Sequence, residues 1–182
     1  YAVEGFRALG PAASPAVPQL AALAGDSKHL ESAYRATITL GFVGREGMPP
    51  LLSQLTNQDT YLRMFSAGAL RYQGTNAAPA IPLLVEYLNT DPKKINAIET
   101  LRRLTLEPDI VVPALTNCLQ DPVHRVRFLA VDALGAFGPK AHSAAPALLA
   151  TALNDLSPGV RAGATNALRK VAPEILTNAL PR

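Results

Sequence analysis

The sequence is poor in tryptophan, cysteine and aromatic residues. It contains no tryptophan, one cysteine and 5% aromatic residues in a chain of 182. A single cysteine excludes an internal disulfide framework and leaves the redox compartment open. No apolar run approaches the ~18 residues that a membrane-spanning helix needs. With 48% hydrophobic residues but few aromatics, the core depends on alanine and leucine, which favours closely packed helices.

The charge balance is nearly neutral, with 17 basic and 14 acidic residues giving a net charge of +3. Such a small excess does not by itself indicate nucleic-acid binding. No signal peptide is visible, so the cytoplasm is the default expectation for localisation. The chain begins at Tyr1, without methionine and inside a predicted helix, so a membrane anchor or export signal in a preceding segment is the alternative.

Motifs for catalysis or metal binding are not found. His29, His124 and His142 are far apart and none is followed by glutamate. The sequence has no His-x-x-x-His, no Cys-x-x-Cys and no glycine-rich phosphate loop. Cys118 lies among leucines on a predicted helix, which is typical of a small core residue. We therefore predict no catalytic residue, no metal, no cofactor and no enzymatic activity.

Two closely matched helices reveal an internal repeat. Residues 121–138 read DPVHRVRFLAVDALGAFG, and residues 155–172 read DLSPGVRAGATNALRKVA. Both begin at an aspartate, place an arginine six residues later, and then carry alanine at positions 9 and 12 and leucine at position 13. Apolar residues recur at spacings of three and four, as in a helix with one buried side. A repeat of this kind determines the architecture of the whole chain.

A proline marker sets the length of the repeat. Pro-x-Leu recurs at spacings of 32, 32, 31 and 33 residues, starting at Pro18, Pro50, Pro82, Pro113 and Pro146. Each proline is predicted near the start of a first helix, where its missing N–H costs little. An aspartate or asparagine in the following turn can cap a second helix, and glycines such as Gly74 and Gly138 end it. We therefore predict five helix pairs and no strand.

The succession Pro-x-Leu, Asp-Pro and Val-Arg-x-x-Ala-x-x-Ala-Leu-Gly resembles the HEAT repeat, in the short bacterial form of the bilin-lyase-like repeat proteins. The resemblance implies an all-α fold, a right-handed α-solenoid (superhelix) of about five antiparallel helix-pair repeats. It covers the chain as a single domain, 1–182. Its predicted parts are a half repeat at 1–10, repeats at 11–44, 45–74, 75–107, 108–138 and 139–172, and a C-terminal cap at 173–182.

The resemblance also gives the recurring Asp and Arg a structural role. It implies a ladder between neighbouring repeats that pairs Asp121 with Arg127, Asp155 with Arg161 and Asn57 with Arg63. In the third repeat Ala97 replaces the arginine. A fixed offset that recurs in each repeat is typical of scaffolding rather than catalysis.

The face of the second helices that points away from the core is unexpectedly apolar. With the turn residue as zero and ~100° per residue, positions 3, 4, 7, 11 and 14 lie opposite the core stripe. In HEAT repeats this side lines the concave surface. Here it carries aromatic and aliphatic residues edged by arginines, namely Tyr34, Tyr61, Met64, Arg71, Ile98, Arg102, Arg125 and Phe128.

Two interpretations of this apolar face are open. In one, the register slips by a residue in the first and third repeats, so that some of these side chains pack between helices. In the other, they form a shallow groove that binds a peptide, a helix or a second copy of the chain.

Three functions remain as hypotheses. The leading one is a non-catalytic scaffold that binds a protein or peptide partner on its concave face, with self-association as one form. The first alternative is a bilin (tetrapyrrole) lyase-like or chaperone activity. The second is nucleic-acid binding, which the acidic residues Glu31, Glu99 and Asp132 among the arginines argue against.

Overall fold

The computed structural model describes residues 2–91 and 93–179, and within them the only regular structure is helical. Short 3₁₀ segments connect several of the α-helices. In chain order the α-helices are α1 (Ala2–Leu9), α2 (Val17–Ala24), α3 (Leu30–Phe42), α4 (Met48–Leu55), α5 (Thr60–Ala69), α6 (Ile81–Thr90), α7 (Ile95–Leu104), α8 (Pro108–Asn117), α9 (His124–Phe137), α10 (Ala145–Asn154), α11 (Pro158–Val171) and α12 (Pro173–Ala179).

Aspartates in the turns start several of the second helices. The Asp59 carboxylate accepts hydrogen bonds from the N–H groups of Tyr61 and Leu62 and so caps α5. The carboxylates of Asp121 and Asp155 each accept the N–H two residues ahead, which forms the turn before α9 and before α11. The predicted capping role is therefore correct for Asp59, whereas Asp121 and Asp155 close the preceding turn and do not cap the helix.

The chain folds as two compact units, residues 1–100 and residues 101–182. In the first unit α2 and α4 pack against α3 and α5 respectively, and α3 packs against α5. Its largest fully buried side chains are leucines and isoleucines, among them Leu40, Leu51, Leu62, Leu84 and Ile98. Burying one such side chain stabilises the fold by about 1.5–3 kcal/mol.

Polar side chains bridge the second helices of the first unit. Gln73 Nε2 donates to the carbonyl of Leu40 at 3.1 Å, and Thr100 Oγ1 donates to that of Ala67 at 2.7 Å. Both side chains are buried. These bonds fix the register between neighbouring second helices, because a helix carbonyl accepts a second hydrogen bond from the side chain.

The second unit relies on small residues instead. α9 and α10 both pack against α11, around the buried residues Leu134, Leu148 and Leu168. A Cβ built on Gly135 would lie only 3.3 Å from Ala167. The absence of a side chain at that position therefore lets α9 and α11 approach closely.

The connection between α7 and α8 departs from the predicted pattern. α8 begins at Pro108, so Pro113 lies inside the helix and not at its start. The preceding residues Thr105 and Glu107 have φ angles of 49° and 47°, which are unusual for residues that carry a side chain. The tight connection ends α7 without glycine and begins α8 one turn early.

No helix in the described part of the chain combines the length and the apolar character that crossing a membrane requires.

Candidate partner-binding face

Arg127 is the centre of a hydrogen-bond network on the turn side of the second unit. Its Nη1 donates to the carbonyls of Asp121 and Pro122 at 2.9 and 3.2 Å. Its Nε and Nη2 donate to the two carboxylate oxygens of Asp155 at 2.7 and 3.0 Å. The guanidinium therefore closes its own turn and holds the next turn through a bidentate ion pair.

The first unit contains the same network around Arg63. Its Nη1 donates to the carbonyls of Asn57 and Gln58, at 2.7 and 2.9 Å. Its Nε and Nη2 both donate to Asp91 Oδ2, at 3.1 and 2.6 Å. In both units the ion pair joins residues 28 apart.

The ladder thus exists, but its predicted pairing is only partly correct. Asp121 with Arg127, Asp155 with Arg161 and Asn57 with Arg63 meet through backbone carbonyls within one turn. The carboxylates of Asp91 and Asp155 accept instead from the arginine of the preceding repeat, Arg63 and Arg127 respectively. The correction has a geometric reason, because an arginine fork can bond a carbonyl and a carboxylate on opposite sides.

This ion pair changes the acidity of both partners. The hydrogen bonds from Arg127 hold the pKa of Asp155 below its usual value, although burial acts in the opposite direction. The hydrogen-bonded carboxylate of Asp155 raises the pKa of Arg127. Both groups are therefore charged at neutral pH, which is typical of a structural pair.

Two matching grooves lie beside these ion pairs. The groove in the second unit has a volume of about 510 Å³ and that in the first about 420 Å³. Most of the residues that line them correspond at an offset of 64, as Arg63 and Arg127 do. Burial and the nearby carboxylate of Asp91 raise the pKa of Tyr87, in the first groove, to about 12. In each groove the lining arginine bonds a lining aspartate, Arg63 with Asp91 and Arg127 with Asp155. Both grooves are therefore part of the structural framework of the repeat.

The outward face of the first unit carries an aromatic cluster. Tyr34 and Tyr61 are 42% and 45% exposed. Both contact Phe65, with ring centroids 5.2 Å apart for Tyr34 and 6.5 Å apart for Tyr61. The Lys93 ammonium lies 3.6 Å from the centroid of the Tyr61 ring, a cation–π contact. The predicted residues Tyr34 and Tyr61 therefore both contact Phe65. Phe65 was not predicted as part of the site, although it follows Tyr61 by one helical turn.

Met64 and Arg71 continue this face of α5 and the turn after it. Both side chains are half-buried. Arg71 lies over the ring of Tyr72 at 5.1 Å and pairs with Glu99 at 3.7 Å. We call the surface formed by Tyr34, Tyr61, Met64, Phe65 and Arg71 the outward face of the first unit.

Ile98 does not belong to this surface, and its prediction is wrong. The side chain is fully buried, as is that of the preceding Ala97. Asn96, one residue earlier, contacts α5 through a hydrogen bond to the carbonyl of Met64. The core positions of α7 are therefore displaced by one residue from those of the other second helices. A register slip, one of the two interpretations of the apolar face, is therefore correct for the third repeat. It does not describe Tyr34 in the first repeat, which is exposed.

The second unit has a smaller groove on its outward face. It has a volume of about 360 Å³, with Phe128 at its wall and Gly163, Ala162 and Gly159 at its floor. Phe128 is 38% exposed, and Asp132, Asn166 and Lys170 supply polar groups to the lining.

The predicted arginines of this unit lie at its surface. Arg102 and Arg125 are exposed, and Arg102 Nε lies 3.4 Å from Asp132 Oδ2. Within residues 2–91 and 93–179, no three histidine, cysteine, aspartate or glutamate side chains converge as metal ligands.

Comparison with solved structures defines the class. Two designed armadillo repeat proteins each match 93% of this chain. One was made for modular peptide recognition, with 15% identity, 92% of that chain covered and a TM-score of 0.62. The other is in complex with the peptide (KR)4, with 16% identity, 91% of that chain covered and a TM-score of 0.65. The chain is an all-α solenoid, as predicted.

The repeat type follows from two further matches. A family model for HEAT repeats matches residues 92–169. One chain in the structure of the complex of CpcE and CpcF of phycocyanin lyase from Nostoc sp. PCC7120 matches at 25% identity and a TM-score of 0.67. The match covers 84% of the present chain and 98% of the chain in that complex. The predicted resemblance to HEAT repeats is therefore confirmed, and the family match covers residues 92–169. The comparison with curated protein sequences gave no match.

Proposed function

We propose that this chain is a non-catalytic scaffold that binds a protein or peptide partner through the outward faces of its second helices. The observation that carries the proposal is the exposure of large apolar side chains there. Tyr34, Tyr61 and Phe128 expose more than a third of their surface; Tyr61 lies beside the Lys93 ammonium, and Phe128 lines a groove. Aromatic residues of this kind commonly dominate binding energy at protein interfaces. The armadillo likeness adds support, since one of those proteins is in complex with a peptide.

Site-specific photo-crosslinking tests the proposal. A photoreactive phenylalanine analogue is placed at Tyr61 or Phe128, and at Ile110 or Leu153 as controls. The controls lie on first helices and are 45% and 56% exposed, so they match in accessibility. We expect a crosslinked species from each outward position and none from the controls. A species with twice the mass of the chain indicates self-association.

Charge substitutions provide the second arm of this test. Met64→Asp and Phe128→Asp place a carboxylate on each outward face. A bound partner would have to remove water from that carboxylate, which costs free energy, so the crosslinked species should disappear. Circular dichroism verifies that the variants fold. Crosslinking that is unchanged in both variants, or equal at Ile110, contradicts the proposal.

A tetrapyrrole-related activity is the second candidate. It is favoured by the phycocyanin lyase match, which covers nearly all of that chain, and by the rings of Tyr34, Tyr61 and Phe65 close to a lysine. Titration with biliverdin, a linear tetrapyrrole, tests it. An absorbance shift that disappears in Tyr61→Ala would support this candidate. An unchanged spectrum in the presence of excess protein would contradict it.

Nucleic-acid binding receives less support from the geometry. Arg71 lies beside Glu99, and Arg102 beside Asp132, so carboxylates offset these two arginines locally. Binding to a nucleic acid would weaken steeply with added salt. A salt titration with a labelled oligonucleotide therefore separates this alternative from the scaffold.

A further inference from the structure

The inference rests on the proposed function and concerns the chemistry of the partner. At one end of the outward face of the first unit, two arginines flank two aromatic rings. Phe42 and Tyr72 pack with ring centroids 4.4 Å apart. The guanidinium of Arg7 lies 5.7 Å from the centroid of Phe42, and that of Arg71 lies 5.1 Å from that of Tyr72. We call Arg7, Phe42, Arg71 and Tyr72 the arginine corner.

The guanidinium of Arg71 lacks a hydrogen-bonded carboxylate, and its side chain is 27% exposed. Its Nε is buried without a hydrogen-bond partner. Its nearest carboxylate oxygen, Glu99 Oε2, lies 3.7 Å from Nη1, beyond hydrogen-bond distance. Arg63 in the same unit donates from Nε, Nη1 and Nη2. A guanidinium has five donors, and since Nε is buried, it is the two Nη groups of Arg71 that can meet an acceptor from outside.

Arg7 adds a second cation that lacks a short hydrogen bond to a carboxylate. Its Nη1 lies 3.9 Å from Glu4 Oε2, and both side chains are more than 60% exposed. Such an exposed pair contributes little energy and is easily exchanged. The corner therefore presents two cations of which neither is engaged in a short hydrogen bond with a carboxylate. A carboxylate is the planar acceptor that matches an arginine fork.

We propose that the arginine corner binds the carboxylate of an acidic side chain in an extended peptide, while Tyr61, Met64 and Phe65 bind an apolar side chain of the same peptide. Met64 lies in α5 and Arg71 in the 3₁₀ turn that follows it, so the seven residues between them rise by about 11 Å. In a polyproline II segment, residues three apart lie on one side, with a rise of about 9 Å. The partner segment therefore has an apolar residue three positions from a glutamate or aspartate.

A designed peptide pair provides the probe. The first is a fluorescein-labelled nonapeptide with capped ends, carrying leucine, glutamate and leucine at every third position and proline elsewhere. The second has lysine in place of the glutamate. Fluorescence anisotropy with the full chain should show saturable binding of the glutamate peptide and at least tenfold weaker binding of the lysine peptide.

Three variants of the chain identify the residue responsible. Arg71→Gln should weaken binding of the glutamate peptide at least tenfold. Glu99→Gln should tighten it about threefold, because the competing carboxylate is removed. Arg45→Gln changes the net charge by the same amount at an exposed arginine of another turn and should have no effect. A purely structural role for Arg71 predicts no tightening in Glu99→Gln.

The outcomes separate this inference from the proposed function. Equal binding of both peptides, equal loss in Arg71→Gln and Arg45→Gln, or no binding of the glutamate peptide overturns the inference. If the lysine peptide binds instead and Tyr61→Glu abolishes that binding, the outward face is still a partner site. The photo-crosslinks at Tyr61 and Phe128 test the proposed function independently of either peptide.

Discussion

Replacing Arg127 with methionine removes the side chain that joins the turn before α9 to the turn before α11. The replacement keeps most of the length and apolar volume of arginine, so the change is mainly one of charge and hydrogen bonding. The exposed fractions of the Arg127 and Asp155 side chains are 13% and 5%. Without Arg127 the Asp155 carboxylate keeps the N–H of Ser157 but loses its ionic partner.

The expected loss follows from this burial. Removing one partner of a buried ion pair costs about 3–5 kcal/mol, because the other charge remains desolvated. The groove of about 510 Å³ beside Asp155 admits water. We therefore expect the lower end of the range, a loss of about 3 kcal/mol in the free energy of unfolding. Urea denaturation followed by circular dichroism measures it.

Arg35→Met is the matched control. Arg35 Nε lies 2.7 Å from Glu31 Oε1, the same distance as Arg127 Nε from Asp155 Oδ2. The side chains of Arg35 and Glu31 are 67% and 73% exposed. This pair is exposed, and Arg35 lacks the two carbonyl bonds that Arg127 makes, so Arg35→Met should cost only about 0.3–0.5 kcal/mol. Equal losses in the two variants would refute the reasoning from burial.

The pH dependence provides an independent measurement. The pKa of Asp155 is lowered in the folded state, with the Arg127 hydrogen bonds as the largest cause. The pair therefore stabilises the fold fully above the unfolded carboxyl pKa of about 4, and this stability is lost as pH falls through the folded pKa. The difference between the wild type and Arg127→Met should shrink below about pH 4. A difference that stays constant down to pH 2 would contradict this assignment.

Four further substitutions test local features by the same denaturation assay. Thr105→Gly should stabilise the chain by about 0.5–1 kcal/mol, because glycine adopts a positive φ without strain. Gly41→Ala should destabilise the chain by about 2 kcal/mol, because the added Cβ would lie 2.7 Å from the Ala69 carbonyl oxygen. Gly5→Ala should be stabilising, because a Cβ there has nothing within 4 Å and alanine favours a helix. Asp59→Ala should cost about 1 kcal/mol by removing the cap of α5. Opposite signs for Thr105→Gly or Gly41→Ala would contradict the backbone geometry.

The repeat was predictable because it depends on strong local signals. Spaced prolines, capping aspartates and the alanine–leucine stripe all indicate helix pairs, and each acts over a few residues. Pro113 shows the limit of that inference. Its position inside α8 depends on the turn at Thr105 and Glu107, where the backbone is left-handed. Neither residue is a glycine, so the sequence gives no sign of this turn.

The candidate site was predictable only in part, because side-chain direction depends on register. Tyr34, Tyr61 and Phe128 are exposed as the helical wheel requires, but Ile98 is buried by the displacement of α7 by one residue. The sequence offset of six identified Arg127 and Asp121 as neighbours. It could not identify Asp155 as the ion-pair partner, since that contact depends on how successive turns stack.

In the first unit the ion-pair ladder and the proposed partner surface use different residues, and Asn96 lies next to that surface. The ladder residues Arg63 and Asp91 lie on the turn side, so the exposed ring of Tyr61 can vary without loss of an ion pair. Asn96 instead bonds the Met64 carbonyl, and its side chain lies 3.3 Å from where a Cβ on Gly68 would be. It therefore fills the space over the middle of α5. Under the proposed function, a change at Asn96 should therefore alter the backbone of α5 beneath Met64 without touching the ladder.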